Sequence, residues 1–219
     1  MTSPTLGNAG PDSPEALVAE AETAIARLDA VRAEIGRAVF GQDRTVELTL
    51  TALLAGGHVL LVGAPGLAKT RLISALATVV GLPWGRVQFT PDLMPADILG
   101  SEVLDTDPAT GARMFRFVKG PVFTNLLMAD EINRASPRTQ SALLQAMQEG
   151  HVTMGGQRLD LPTPFHVLAT QNPIEYEGAY PLPEAQLDRF LLRVDVPYPD
   201  SETERRILIE TPVPGRARP

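Results

Sequence analysis

Eight residues constrain this chain more than any others: Gly63-Ala64-Pro65-Gly66-Leu67-Ala68-Lys69-Thr70, or GAPGLAKT. An apolar run, His58-Val59-Leu60-Leu61-Val62, precedes them, and a helical-looking segment from Arg71 to Ala77 follows. Strand, glycine-rich turn and helix, in that order, are the setting in which a phosphate-binding loop has physical meaning. Small residues let backbone N–H groups turn inward toward phosphate oxygens, and the helix N-terminus adds the positive end of its dipole. On that reading Lys69 reaches the β- and γ-phosphates of a nucleotide and the Thr70 hydroxyl ligates Mg²⁺. One letter departs from the general pattern G-x-x-x-x-G-K-[ST]: Ala68 stands where the second glycine is expected. Alanine is small enough to keep the loop close to phosphate if the backbone there is already helical. A tight strand-to-helix turn without a ligand is the alternative for this motif taken alone.

Leu126-Leu127-Met128-Ala129-Asp130-Glu131 is the second informative stretch. Four apolar residues predict a buried strand ending in two acids, and buried carboxylates are too costly to place there without partners. Neighbouring strand residues point in different directions. Asp130 can therefore face the phosphate loop and hold Mg²⁺, while Glu131 faces the open side and activates the attacking water. A pair of helix-capping acids is the bland alternative.

Around these stretches the chain alternates strands and helices, which predicts a mostly parallel five-stranded sheet with helices on both faces, a three-layer αβα sandwich. The strands are read at 58–62, 86–89, 126–129, 165–170 and 191–194. Residues 1–12 read as a flexible tail. Ser13 with Pro14 then opens a helix to about Val39, with an apolar stripe Leu17, Ala21, Ile25, Leu28, Val31, Ile35, Val39 expected to dock on the core. The turn signal from Asp105 to Gly111 predicts one inserted β-hairpin, and Gly155-Gly156 predicts a second. Asn172 follows the strand ending in Thr170. A polar amide at the carboxyl end of a parallel strand sits where ligands bind in such sheets, so Asn172 can orient water or sense the γ-phosphate. An ordinary turn-forming asparagine before Pro173 is its alternative.

Composition narrows the function. A net charge of −7 over 219 residues argues against a general nucleic-acid or membrane-surface binder. There are no cysteines and three histidines, read as scattered ordinary strand or loop residues rather than zinc ligands. The N-terminus lacks the basic region and apolar core of a secretory signal, and no apolar run spans a bilayer. The expected compartment is the cytoplasm.

Taken together, the motifs resemble those of an AAA+ ATPase, more narrowly of the MoxR type. The resemblance rests on Gly41-Gln42, GAPGLAKT, KGPVFTNLLMADEINR (119–134), TQSALLQAMQEG (139–150), ATQNP (169–173) and PEAQLDRF (183–190), in that order. It implies a P-loop NTPase (AAA+) core over 13–199 that binds ATP and Mg²⁺. Gly41 and Gln42 would lie near the adenine, 63–70 would be the Walker A loop, and Asp130 with Glu131 the Walker B pair. Asn172 matches the sensor-1 position. Arg189 matches the arginine finger, which acts on ATP held by a neighbouring subunit; a salt bridge to a surface acid is its alternative. The resemblance also implies a hexameric ring acting on a protein client, with a von Willebrand factor A domain protein as one candidate, and inserted hairpins directed toward the pore or the client. Family members continue into a C-terminal helical lid, of which 200–219 reads as the truncated start or a linker. Two other functions stand beside ATP-driven remodelling. One is a nucleotide-dependent scaffold without efficient turnover. The other is a nucleic-acid motor, disfavoured by the acidic charge and the 5% aromatic content.

Overall fold

The computed structural model describes residues 13–106, 113–173 and 180–210. The expected tail at 1–12, the centre of the turn expected between Asp105 and Gly111, and the end from 211 to 219 lie outside the described residues. Helix α1 (Pro14–Ala38) starts as its sequence dictates, with the Ser13 hydroxyl accepting the Ala16 N–H at 3.1 Å and proline at the first position. Its stripe docks only toward the C-terminal end, where Ile35 is buried. Leu17, Val18 and Ile25 are each more than half exposed, so the expected docking along the full stripe is corrected to its last turns. Periodicity identifies an apolar face; it does not supply the surface that covers it.

The chain continues through α2 (Asp43–Leu54), β1 (Val59–Val62), α3 (Lys69–Val80), β2 (Trp84–Gln88), α4 (Pro95–Leu99), β3 (Gly100–Thr106) and β4 (Arg113–Lys119). It then forms β5 (Leu126–Asp130), a 3₁₀ turn (Ile132–Arg134), α5 (Pro137–Glu149), β6 (His151–Met154) and β7 (Gln157–Asp160). The described chain closes with β8 (His166–Gln171), α6 (Glu184–Leu187), β9 (Leu192–Asp195) and α7 (Ser201–Glu210).

Five strands make one sheet in the order β2-β5-β8-β1-β9, and every neighbouring pair is parallel. Strand alternation splits the side chains between two cores. Leu60, Val62, Leu127, Ala129, Val167 and Ala169 face α4 and α5, together with Ile98, Leu143 and Leu144. Val59, Leu61, Leu126, Met128 and Leu168 face the other layer, with Ile35, Leu50, Ile73 and Leu76 from α1, α2 and α3. A parallel sheet buried on both faces explains why these strands read as unbroken apolar runs. The protein is a three-layer αβα sandwich.

Both inserted hairpins form. β3 pairs antiparallel with β4 from Gly100 opposite Lys119 to Thr106 opposite Arg113. At its base Gly120 lies so close to Ile98 that a Cβ would overlap the Ile98 carbonyl oxygen. The β6–β7 turn uses Gly155 and Gly156 at φ 56° and 75°, the left-handed pair a two-residue hairpin turn demands. Gly155 lies directly against the Glu102 carboxylate, so the two hairpins touch.

Two of the histidines are not scattered. His58 Nδ1 accepts the Val167 N–H at 3.0 Å, His58 Nε2 faces the Met147 carbonyl at 3.4 Å, and His166 Nδ1 faces the Gly57 carbonyl at 3.0 Å. They clip the start of β1 to the start of β8. Burial, reinforced by the neighbouring His166, lowers the pKa of His58 to about 4 against the hydrogen bond to Met147. Among the described residues no helix is long and apolar enough to cross a membrane.

Candidate active site

Strand β1 delivers Gly63 at its carboxyl end, where its N–H donates to the Gln171 carbonyl at 3.1 Å. The loop then turns back to start α3 at Lys69, whose ammonium donates to the carbonyls of Gly63 and Ala64. Ala68 is in the left-handed conformation, φ 55° and ψ 19°. The condition placed on alanine there, an already helical right-handed backbone, is therefore not met. The position demands what a glycine adopts freely, and the alanine is held in it by the turn and by the helix starting at its carbonyl.

The two acids diverge for a reason other than strand alternation. Asp130 is the last residue of β5 and is buried, whereas Glu131 is left-handed at φ 56° and opens the 3₁₀ turn. The Thr170 hydroxyl joins them, accepting the Glu131 N–H at 2.8 Å and donating to Asp130 Oδ1. Asp130 Oδ2 receives Arg86 of β2 through Nη2 at 2.6 Å and Nε at 3.2 Å. Glu131 Oε2 receives Gln88 Nε2 and Arg134 Nη1, each at 3.0 Å. Gln140 of α5 is buried and donates to the carbonyls of Ile132, Ala135 and Tyr180 at 2.9–3.2 Å, which pins the turn after Glu131.

Residues Pro65 to Arg71, Asp130, Glu131 and Asn172 line one cleft of about 330 Å³. Sheet order explains the convergence. β5, β8 and β1 are the three central strands, and their carboxyl ends present the acids, Asn172 and the loop side by side. Asn172 is buried, and its carbonyl accepts Asn133 Nδ2 at 3.4 Å. A hydroxyl on Thr70 and a carboxylate on Asp130 are oxygen donors of the kind a hard divalent cation takes, alongside phosphate oxygens. The donor set fits Mg²⁺.

Five expected site residues stand outside the cleft lining: Gly63 and Ala64, whose carbonyls accept from Lys69, and Gly41, Gln42 and Arg189. Gly41, at φ 68°, packs against Thr203 of α7, and buried Gln42 donates to the Pro197 carbonyl at 3.1 Å and accepts from Thr45 at 2.9 Å. Arg189 follows α6, half-buried. No motif in the sequence marks Arg86, Gln88, Arg134 and Thr170 as site residues. The signal available for the β2 pair was its alternation, Arg86 and Gln88 flanking buried Val87 on a strand of the sheet.

Comparison with known proteins gives the family. The chain matches the profile of the ATPase family associated with various cellular activities (AAA) over residues 58–192, more than half its length, and belongs to that family. It is 50% identical over 200 residues to the protein named Chaperone MoxR1 of Mycobacterium tuberculosis, covering 91% of this chain and 51% of that protein. Protein MoxR of Methylorubrum extorquens is 35% identical over 184 residues, 82% of this chain and 52% of that protein. Within the family the chain is of the MoxR type. A crystal structure of a candidate ATPase from Cytophaga hutchinsonii superposes with a TM-score of 0.76 at 43% identity, over 90% of this chain and 59% of that one. The chain spans about half the length of the curated relatives it matches.

Proposed function

We propose that this protein binds and hydrolyses ATP and uses the cycle to remodel or mature a protein client as part of a ring. The carrying observation is the single cleft that gathers the 65–71 loop, both acids and Asn172. In this reading the loop N–H groups and Lys69 hold the phosphates, and Thr70 with Asp130 hold Mg²⁺. Bound there, Mg²⁺ would neutralise phosphate charge. Glu131 accepts the proton of the attacking water, and Asn172 orients that water. Gly41 and Gln42 lie beside the adenine, and Arg189 reaches the γ-phosphate held by a neighbouring subunit, an effect of about 10³–10⁵ in rate. A hexameric ring and a client bearing a von Willebrand factor A domain rest on the family resemblance. The name of the mycobacterial relative supports a chaperone role of this kind.

The test is ATP turnover per protomer, with Mg²⁺, across a wide protein dilution series. Specific activity that rises with concentration and is abolished by Arg189→Ala supports sites completed between subunits. Flat activity removes Arg189 from the mechanism. Glu131→Gln should retain ATP and lose turnover. Binding without turnover at any concentration leaves a nucleotide-dependent scaffold.

A further inference from the structure

We propose that Arg86 is a positioning residue that competes with the divalent cation for Asp130, so that cation arrival and release of Arg86 are one event. The inference rests on the nucleotide-binding reading above. Both oxygens of Asp130 are engaged, Oδ1 by the Thr170 hydroxyl and Oδ2 by the Arg86 guanidinium. A cation and a guanidinium repel each other, so each weakens the other's hold on a shared carboxylate oxygen. The side chain able to yield is the arginine, 45% exposed, whereas Asp130 is 12% exposed and anchored through Thr170. An exposed arginine leaving into water is cheap; a buried carboxylate losing its partners is not.

The same guanidinium extends the effect to the second acid. Arg86 Nη2 also donates to Gln88 Oε1 at 2.7 Å, and Gln88 Nε2 donates to Glu131 Oε2 at 3.0 Å. The two β2 side chains thus link the cation-binding acid to the acid that takes the proton of water. Displacing Arg86 frees the Gln88 amide to turn and loosens its hold on Glu131. Glu131 Oε2 keeps its bond from Arg134 Nη1 throughout, so the link through Gln88 loosens one of its two holds.

The test is a Mn²⁺ titration of the 219-residue chain with saturating ADP, free Mn²⁺ being read by electron paramagnetic resonance so that no turnover is involved. Arg86→Gln should tighten Mn²⁺ binding about fivefold, the worth of an ion pair of this exposure. Arg86→Lys, which keeps a cation on β2, should tighten it less and serves if the glutamine variant does not fold. Gln88→Ala, which does not touch Asp130, should stay within about twofold of the parent. Unchanged or weaker binding in Arg86→Gln, or equal tightening in Gln88→Ala, overturns the competition. A parent protein that holds neither ADP nor Mn²⁺ overturns the nucleotide reading as well, so the two failures are distinguishable.

Discussion

Ala68→Gly isolates a backbone preference from everything else in the phosphate loop. Ala68 is exposed and left-handed, so its methyl group buries little and its cost is conformational. A left-handed alanine is disfavoured by about 1–2 kcal/mol, and glycine returns roughly 0.4–1 kcal/mol of that through its freer unfolded chain. The net gain is about 0.5–1 kcal/mol, which at this chain length raises Tm by roughly 1–4 °C. Urea unfolding and a thermal scan of the nucleotide-free protein measure it. Gly66→Ala is the paired control. Gly66 has φ 84° and a Cβ there would meet nothing within 4 Å, so the same term acts with the opposite sign and stability falls by about 1 kcal/mol. A loss of stability in Ala68→Gly, or no loss in Gly66→Ala, would refute the argument that backbone conformation dominates at these positions.

His58 makes stability depend on pH. Its folded pKa near 4 lies below the ordinary 6.5, so in that window the unfolded chain binds a proton that the folded chain refuses. Stability from His58 is complete above about pH 6.5 and is lost on acidification toward 4, by on the order of 2–3 kcal/mol. Urea midpoints measured between these limits should rise with pH, and His58→Asn, which keeps an acceptor for the Val167 N–H, should flatten the rise. Gly120→Ala drives a methyl group into the Ile98 carbonyl and should cost about 1–3 kcal/mol in chemical denaturation. Gln140→Leu strands three carbonyls around the turn after Glu131 and should cost about 1–3 kcal/mol by the same assay. A change below about 0.5 kcal/mol would show that water satisfies those carbonyls.

What was legible in the sequence follows from the range of the forces involved. The parallel sheet, both hairpins and the 63–70 loop came from local patterns: unbroken Val and Leu runs, paired glycines, and a turn between strand and helix. Each of these is decided within a few residues. The Arg86–Asp130 ion pair joins residues 44 apart in sequence and exists because β2 lies beside β5, with Gln88 opposite Asp130. Strand order is a product of global packing, so no window of residues contains it. The pairing of His58 with the β8 backbone, across 109 residues, escaped for the same reason. Backbone hand was lost differently. The letters Ala68 and Glu131 carry no φ, and both residues take a conformation their own side chains disfavour because the surrounding turn demands it. The N-terminal half of α1 is exposed; a stripe of apolar residues says nothing about its partner.

The close approach at Gly120 has a mechanical meaning. No side chain stands between that backbone and the Ile98 carbonyl, so the foot of the β3–β4 hairpin has no soft layer in which a strain could dissipate. Ile98 belongs to α4, α4 packs on α5, and α5 holds the Glu131 turn through Gln140. The hairpin is therefore a stiff lever whose fulcrum is two backbones in contact. The touch between Gly155 and Glu102 makes the second hairpin a brace on its flank. A tilt of α5 is therefore passed to the foot of β3 and β4 through backbone contact rather than through side chains.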